Sequence, residues 1–288
     1  MPNLVPPVPG MAEDNGMDLV VLGSGDSGQA VRIIQNRLAA LGYHQGLVDG
    51  SYGTITQRAV AAFQRANGLR ATGLIDNLTL RALGYEVDDN APAAPQPGGG
   101  FSVEAVAKLF PDAPVNNIRT YLPLVLRALA EVRLADRDMT LMALATIKAE
   151  TAGFAPISEY QSKYNTSPGG RPYALYDFRK DLGNNATGDG DRYKGRGFIQ
   201  LTGKANYQTY SQRLGLGNLL IQKPDAANDP VIASRILAAF LKNKESVIRN
   251  ALAKGDLATA RKAVNGGTHG LEQFTVAFQK GSNLVGLA

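Results

Sequence analysis

A stretch of fifteen residues with no helical or strand pattern divides this chain into two parts. Residues 86–100 contain three prolines followed by three consecutive glycines. Prolines favour an extended, semi-rigid backbone, and consecutive glycines give a flexible one. We therefore predict a linker here, between a small domain at residues 18–85 and a larger one at residues 101–288. Residues 1–17 are rich in proline, glycine and acidic side chains, and we predict that they are disordered.

The small domain has the pattern of three short helices. Apolar residues recur at helical spacing between polar residues that can start a helix and glycines that can end one. The predicted helices run from Asp26 or Ser27 to Gly42, from Thr54 or Thr56 to Asn67 and Gly68, and from Asn77 to Leu83. Phe63 lies on the apolar face of the second helix, and we predict that it belongs to the core.

The turns and apolar positions of this domain resemble the peptidoglycan-binding type 1 domain family. The matching segments are Gly25–Gly28, Leu41–Tyr43, Val48–Gly53, Phe63–Gln64 and Asn67–Leu69, together with Val31, Gln35, Leu38, Thr56, Ala59 and Val60. The resemblance implies that the domain binds the bacterial cell wall. Asp49 is open to two interpretations, because an aspartate in a turn either braces its own backbone or contacts the ligand.

The larger domain is predicted to be mainly α. The expected helices cover 103–110, a segment from Asn116 or Asn117 that is interrupted near Pro123, and then 205–214, 230–243, 256–264 and 271–283. Leu124, Leu126, Leu129 and Val132 continue the helical spacing toward residue 150. A short strand at Gly197–Leu201 is the one strand that the pattern supports. The segments at 165–170 and 182–190 are rich in turn residues, which is typical of functional loops.

Two glutamates in the larger domain are candidates for acid–base chemistry. Glu150 ends a periodic apolar segment that begins at Asp136 or Asp138, and Gly153 is the expected helix stop. A carboxylate near the negative end of a helix dipole is disfavoured, so Glu150 is a candidate for a protonated acid. Glu159 follows nine residues later, in a predicted loop. A pair of carboxyl groups that flank the scissile bond is the basic requirement of a glycosidase.

Three motifs resemble glycoside hydrolase family 19, which contains plant-type chitinases and many phage endolysins. Residues 193–207 read YKGRGFIQLTGKANY, residues 149–153 read AETAG and residues 263–267 read AVNGG. The resemblance covers residues 101–288 and implies an α-helical, lysozyme-like fold and an inverting mechanism. One departure is Ala149, where plant chitinases have histidine. The short spacing from Glu150 to Glu159 resembles the endolysin branch.

The same resemblance implies roles for individual residues. Glu150 corresponds to the general acid, Glu159 to the general base and Thr202 to the hydroxyl that positions the attacking water, while Asp177 is an alternative base. Gln200, Asn206 and Asn265 correspond to positions that contact sugar in the family. Arg196 is a further candidate for substrate contact, and Tyr160, Tyr164 and Tyr193 are candidates to line the cleft, although a half-buried tyrosine is the commoner outcome. Two alternatives stay open, because Asn265 could brace its turn and Arg196 could form a structural ion pair.

Composition excludes several other kinds of site. The chain has no cysteine and two histidines, His44 and His269, so neither a zinc site nor a Cys–His nucleophile is expected. No metal or other cofactor is predicted, and we assign no role to His269. Residues 1–100 hold six arginines against nine acidic residues, a net charge of −3. Residues 101–288 hold 24 basic and 16 acidic residues, a net charge of +8 that suits an acidic polymer.

These features together predict a modular endolysin that binds peptidoglycan and cleaves its glycan strand as an N-acetylmuramidase, a lysozyme-type activity. No secretory signal, membrane span or nucleic-acid motif is visible, and a monomer is expected. The protein would then stay in the host bacterial cytoplasm until a holin gives it access to the wall. The alternatives are a bacterial chitinase, an N-acetylglucosaminidase, or a wall-binding protein with an inactive second domain. Intact Glu150, Glu159 and Thr202 argue against the last.

Overall fold

The computed structural model of the chain describes residues 22–85, 101–267 and 270–285. The predicted disordered segment 1–17, the predicted linker 86–100 and His269 lie outside these residues. The chain divides into two compact units between Pro95 and Gln96, within the predicted linker. Among the described residues, no helix combines the length and the apolar composition needed to cross a bilayer.

The smaller unit contains the three predicted helices, which are α1 (Gln29–Ala40), α2 (Thr54–Ala66) and α3 (Asn77–Ala82). Their apolar faces form one core, and Phe63 is buried in it as predicted. The start of α1 differs from the prediction, because Gly28 is its N-cap and provides no side-chain cap. The carboxylate of Asp26 instead accepts a hydrogen bond from the Gly23 N–H (2.8 Å) and so braces the preceding turn.

A fully buried glutamine of α1 holds the turn that precedes α2. The Nε2 of Gln35 donates to Asp49 Oδ1 (2.9 Å), to the Ser51 carbonyl (3.0 Å) and to Thr56 Oγ1 (3.0 Å). Its Oε1 accepts from the Gly50 N–H (2.8 Å). The hydrogen bonds to Asp49 therefore brace the turn, which is the first of the two interpretations given above.

A second buried glutamine, in α2, makes the same set of bonds to the turn that precedes α3. The Nε2 of Gln64 donates to Thr72 Oγ1 (3.2 Å), to the Leu74 carbonyl (2.7 Å) and to Thr79 Oγ1 (2.9 Å). Its Oε1 accepts from the Gly73 N–H (2.8 Å).

The two turns are therefore an internal repeat. Residues 49–56 read DGSYGTIT and residues 72–79 read TGLIDNLT. The two segments are identical only at the glycine and at the final threonine, and Ile55 corresponds to Leu78. Both glycines, Gly50 and Gly73, have positive φ (+74° and +68°), which favours glycine over other residues. The smaller unit is a turn–helix element used twice, each time fixed by a glutamine of the preceding helix.

The larger unit is mainly α, which confirms the prediction. Its helices are α4 (Val103–Leu109), α5 (Val115–Glu131), α6 (Arg137–Thr151), α7 (Asp189–Arg192), α8 (Lys204–Arg213), α9 (Leu219–Gln222), α10 (Pro230–Asn243), α11 (Glu245–Leu252), α12 (Leu257–Asn265) and α13 (Leu271–Val285). Short 3₁₀ helices lie at Ala174–Tyr176, Lys180–Leu182 and Pro224–Asn228.

Helix α6 lies at the centre of this unit. Every residue from 139 to 147 is buried, as expected for a helix that other elements surround. Helices α10 and α13 pack against it. At its start, the Asp136 side chain accepts from the Met139 N–H (3.2 Å) and pairs with Arg249 of α11 (2.6 Å). Asp136 is therefore the cap, and of the two predicted starts it is the correct one.

Helix α5 corrects the predicted interruption near Pro123. The helix continues through this proline and ends only at Glu131. Leu122 and Leu124 on either side are buried, and α5 packs along α10, so tertiary packing outweighs the lost backbone hydrogen bond. The predicted continuation through Val132 toward residue 150 is also wrong. The chain turns at Arg133, where φ is +59°.

Two short strands connect the loops of the larger unit. Strand β1 (Ile157–Ser158) pairs antiparallel with β2 (Arg196–Gly197), with Ile157 opposite Gly197. The predicted strand at Gly197–Leu201 is therefore only partly correct. The chain turns at Gln200, where φ is +51°, and Leu201 returns to bridge Arg196.

The internal repeat generates a stability prediction. Gln64→Ala leaves the Gly73 N–H and the Leu74 carbonyl without their partner, so we expect the smaller unit to lose about 2–3 kcal/mol of unfolding free energy. Gln45→Ala, at an exposed glutamine of the same unit, should change it by less than about 0.5 kcal/mol. Residue-resolved amide hydrogen exchange on the full chain measures the local stability of both units in one experiment. Unchanged protection of residues 54–82 in Gln64→Ala would contradict the role of this glutamine.

Candidate active site

Glu150 lies in the last turn of α6 and pairs with a buried arginine. Nη2 of Arg261, which is 0% exposed, donates to Glu150 Oε1 at 2.7 Å. Arg261 belongs to α12, and its guanidinium lies 6.0 Å from the ring centroid of Phe274 in α13. Because the arginine is enclosed on all sides, it fixes the position of the Glu150 carboxyl group.

The backbone beyond Glu150 is strained. Ala152 has a φ of +46° and Phe154 a φ of +50°, conformations that residues with a Cβ rarely adopt. The predicted helix stop, Gly153, is not one of the positive-φ residues, so the prediction is wrong in detail. The fully buried Phe154 ring packs edge-on against Phe110 (4.8 Å between centroids). Asn117 Nδ2 donates to the Gly153 carbonyl (2.9 Å), and these contacts hold the end of α6 in place.

The space beside Ala149 is occupied by the start of α13. A Cβ placed on Gly270 would lie 3.2 Å from the Ala149 Cβ and 3.3 Å from Arg261 Nη2. A larger side chain at either position would push against the neighbours of Glu150. Ala149, at the position where plant chitinases have histidine, therefore lies where the backbone at Gly270 approaches closely and leaves little room for a larger side chain.

Glu159 follows β1 and is held by four hydrogen bonds. Its N–H donates to the Gly195 carbonyl (2.9 Å), and the Gly195 N–H donates back to Glu159 Oε1 (2.9 Å). The Tyr173 hydroxyl donates to the Glu159 carbonyl (2.7 Å), and the Tyr176 hydroxyl donates to Oε2 (3.3 Å). Both carboxylate oxygens thus have a donor.

Thr202 also lies close to Gly195. Its hydroxyl donates to the Gln200 carbonyl (2.8 Å). A Cβ on Gly195 would lie 3.2 Å from Thr202 Oγ1 and 2.9 Å from Gln200 Oε1. Gly195 therefore contacts both residues: its N–H binds the Glu159 carboxylate, and its lack of a side chain leaves room beside the Thr202 hydroxyl.

Asp177, the alternative base, is bound on several sides by protein. Its carboxylate, 6% exposed, accepts from the N–H groups of Gly190 (2.8 Å) and Gly188 (3.0 Å) and pairs with Arg171 (2.9 Å). Burial alone would raise the pKa of Asp177, but these hydrogen bonds outweigh it and hold the pKa below its usual value. These contacts indicate a brace for the loop.

Three residues that were expected to contact sugar donate or accept hydrogen bonds within the protein. Gln200 Nε2 donates to the Ile157 carbonyl of β1 (2.9 Å). Asn206 Nδ2 donates to the Thr202 carbonyl (2.8 Å), and Asn265 Oδ1 accepts from the Gly267 N–H (2.9 Å). Their contact with substrate stays a prediction.

Two other residues that were expected to contact sugar, Tyr193 and Arg196, are buried in this structure. Tyr193 is 3% exposed and packs on Tyr207, with ring centroids 5.4 Å apart. Arg196 is also buried; it pairs with Asp225 (2.8 Å) and donates to the Tyr207 hydroxyl (2.9 Å). Arg196 thus forms the structural ion pair that was its alternative, and contact of either residue with substrate stays a prediction.

Tyr160 and Tyr164 are different, since they are 79% and 76% exposed. Both lie in the loop that follows Glu159, where their rings are accessible. Their predicted contact with sugar is compatible with this placement.

The sequence analysis missed Arg261 and Tyr176. Arg261 lies four residues before Asn265 in a helix that was correctly predicted, so its position was known but its partner was not. Tyr176 is adjacent to the residue considered as the alternative base. The pairing of each residue with a glutamate becomes visible only in three dimensions.

Comparison with known proteins gives matches for both units. Residues 27–83 match the family described as "Putative peptidoglycan binding domain". A glycosyl hydrolase family 19 domain-containing protein of Haemophilus influenzae is 30% identical over 111 residues, which is 38% of this chain and 52% of that protein. The acidic endochitinase pcht28 of Solanum chilense is 50% identical over 51 residues, 17% of this chain and 20% of that protein.

Among solved structures, chitinase C from Streptomyces griseus HUT6037 is similar at 19% identity and a TM-score of 0.47, covering 66% of this chain and 78% of that one. The chain spans about half the length, or less, of the curated relatives that it matches. The chain is therefore similar to a peptidoglycan-binding domain at residues 27–83 and, over 111 residues, to a glycosyl hydrolase family 19 domain-containing protein.

Proposed function

We propose that the protein hydrolyses the glycan strand of bacterial peptidoglycan as an inverting N-acetylmuramidase. The observation that carries the proposal is the convergence of Glu159 and Thr202 on Gly195, in a domain that also presents Glu150 on a separate element. An inverting glycosidase needs one protonated carboxyl group, one ionised carboxylate and a water molecule between the carboxylate and the anomeric carbon.

Glu150 is the general acid in this proposal. It donates its proton to the glycosidic oxygen as the bond to the anomeric carbon breaks. Arg261 fixes the carboxyl group through Oε1 at 2.7 Å, which limits the positions that the donated proton can occupy. The burial of this arginine keeps the arrangement rigid before substrate arrives.

Glu159 is the general base and Thr202 orients the water. The Thr202 hydroxyl donates a hydrogen bond to the Gln200 carbonyl, so the lone pairs of its oxygen can accept a hydrogen bond from water. Each Glu159 oxygen retains a lone pair beyond its one protein donor and can accept the proton that the attacking water releases.

The net charge of the larger domain and the family match of the smaller one favour peptidoglycan over chitin as the substrate. Residues 101–288 carry a net charge of +8, which attracts a polymer bearing lactyl and peptide carboxylates, whereas chitin is uncharged. The family match at residues 27–83 supports attachment to the same polymer that the second domain would cleave. An attached enzyme meets its substrate at a raised local concentration.

We further propose the biological role of an endolysin. The protein would accumulate in the cytoplasm of a phage-infected bacterium and reach the wall when a holin opens the inner membrane. The second candidate is a chitinase, which the 50% identity to a plant endochitinase over 51 residues favours. An N-acetylglucosaminidase acting on the same wall is the remaining alternative.

Replacement of the acid tests the first role. Glu150→Gln is nearly isosteric and keeps an oxygen for Arg261, but it cannot donate an acidic proton, so we expect the loss of wall lysis with an unchanged fold. Glu272→Gln, at an exposed glutamate of α13, is the matched control and should lyse at the wild-type rate. Turbidity loss of purified peptidoglycan measures both. Lysis by Glu150→Gln within tenfold of wild type would exclude Glu150 as the acid.

A second pair of variants separates the base from its rival. Glu159→Gln should lower the rate at least about 100-fold with little change in melting temperature, because it removes a proton acceptor. Asp177→Asn should mainly lower the melting temperature, because an amide replaces a carboxylate that braces a loop. Rates are compared on the folded fraction of each protein. The assignment fails when Asp177→Asn is the slower of the two.

The linkage is tested by labelling the new reducing ends. Borohydride reduces only these ends in digested peptidoglycan, so a muramidase yields muramitol. Glucosaminitol would show the glucosaminidase alternative, and faster digestion of colloidal chitin than of peptidoglycan would favour the chitinase. Glu150→Gln treated in parallel should release neither alcohol, which controls for contaminating enzymes.

A further inference from the structure

We propose that Tyr176 is a positioning residue for Glu159, and that Asn184 links Tyr176 to the backbone next to Thr202. The base and the hydroxyl that orients the water would then share one hydrogen-bonded framework. This inference rests on the proposed function of Glu159 and Thr202.

The first step is the contact between Tyr176 and the carboxylate. The Tyr176 hydroxyl donates to Glu159 Oε2 (3.3 Å), while the Gly195 N–H donates to Oε1 (2.9 Å). The two donors come from separate segments, a 3₁₀ helix and the residue before β2. Two donors on opposite oxygens fix the plane of a carboxylate, whereas one donor leaves it free to rotate.

Tyr176 is a donor throughout the working pH range. Burial, and then the negative charge and hydrogen bond of Glu159, raise the pKa of Tyr176 to about 12. Because this pKa lies well above neutrality, the hydroxyl keeps its proton near neutral pH and does not itself act as the base. Its effect on the reaction must come through Glu159.

Asn184 forms the second step of the framework. This residue is 2% exposed, and its two polar atoms bridge two segments. Its Nδ2 donates to the Tyr176 carbonyl (2.8 Å), and its Oδ1 accepts from the N–H of Lys204 (3.0 Å), the first residue of α8. Lys204 lies two residues after Thr202, so movement of Tyr176 is coupled to the backbone that carries the hydroxyl.

Close backbone packing supports this coupling. A Cβ on Gly183 would lie 2.6 Å from the Ala205 Cβ, and a Cβ on Gly203 would lie 2.7 Å from the Leu182 carbonyl oxygen. Both glycines have positive φ (+70° and +91°). The segment at 182–184 is thus pressed against 203–205, and Asn184 is the polar bond across that contact.

Several charged or titratable groups surround Glu159 and bear on its pH response. Those that face it or the two tyrosines bound to it are Tyr173, Tyr176, Arg179, Asp181, Asp191, Lys194, Arg196 and Tyr207. Lys194 pairs with Asp191 and Arg179 with Asp181. A Tyr→Phe change leaves all of these charges in place, so its effect isolates the hydroxyl.

The test compares two tyrosines that both bond to Glu159. Tyr176→Phe removes the donor to the carboxylate, and Tyr173→Phe removes the donor to the main-chain carbonyl. A carboxylate that loses a donor is harder to ionise. We therefore expect Tyr176→Phe to lower kcat about tenfold with KM within about twofold, and to move the acidic limb of the kcat–pH profile upward by about 0.5–1 unit. Tyr173→Phe should leave that limb in place.

Two further variants complete the comparison. Asn184→Ala should also lower kcat, and its kcat is measured below the melting temperature of this variant. Tyr210→Phe, at a buried tyrosine of α8 stacked on Phe240, controls for the loss of a buried hydroxyl away from the site and should match wild-type activity. An acidic limb that stays in place in Tyr176→Phe, or that moves equally in Tyr173→Phe, would overturn the proposal.

A readout that needs no activity separates this inference from the proposed function. The ¹³C resonance of the Glu159 carboxyl, assigned by its absence in Glu159→Gln, is titrated in wild type and in both Tyr→Phe variants. We expect its midpoint to rise only in Tyr176→Phe, and an unchanged midpoint overturns the positioning role. If the midpoint rises but Glu159→Gln remains active, the contact is real and the assignment of Glu159 as base is the part that fails.

Discussion

The burial of helix α6 holds the larger domain together and also fixes where Glu150 lies. Residues 139–147 are enclosed by other helices, and the Asp136–Arg249 pair anchors the start of the helix to α11. A helix held along its length cannot rotate or slide, so the last turn has a defined position. There Nη2 of the buried Arg261 donates to Glu150 Oε1 and holds that carboxyl group. The same packing thus stabilises the fold and positions Glu150.

Glu159, the proposed base, is held in a different way, by loops rather than by the core. The chain between β1 and α8 has little regular structure, so its backbone groups must find partners in side chains. Buried Asn165, Asn184 and Asp177 fill this role, each bonding to backbone groups several residues away. A loop built this way is ordered by hydrogen bonds and can present Glu159 and exposed tyrosines together. Glu150 and Glu159 therefore depend on separate parts of the domain for their positions.

The smaller domain solves a related problem with two glutamines. A domain of this size has little apolar surface to bury, and its turns would otherwise be weakly determined. Gln35 and Gln64 each satisfy an N–H and a carbonyl in the next turn, and so specify where the following helix begins. The repeat escaped sequence analysis because the two turns share few identical residues. The partners of these glutamines lie in the turns, and the structure alone shows that both turns are bonded in the same way.

The sequence by itself indicated most of the longer helices, a linker at residues 86–100 and the three residues proposed for catalysis, but it did not indicate α7, α9 or α11. Helical spacing is a local property, and motifs place Glu150, Glu159 and Thr202 without knowledge of the fold. Tertiary structure alone decided what lies beside each residue. It continued α5 through a proline, placed two expected sugar contacts in the core, and paired the two glutamates with Arg261 and Tyr176. Burial and pairing arise between segments far apart in the chain, such as Glu150 and Arg261, which are 111 residues apart, and no local pattern contains that information.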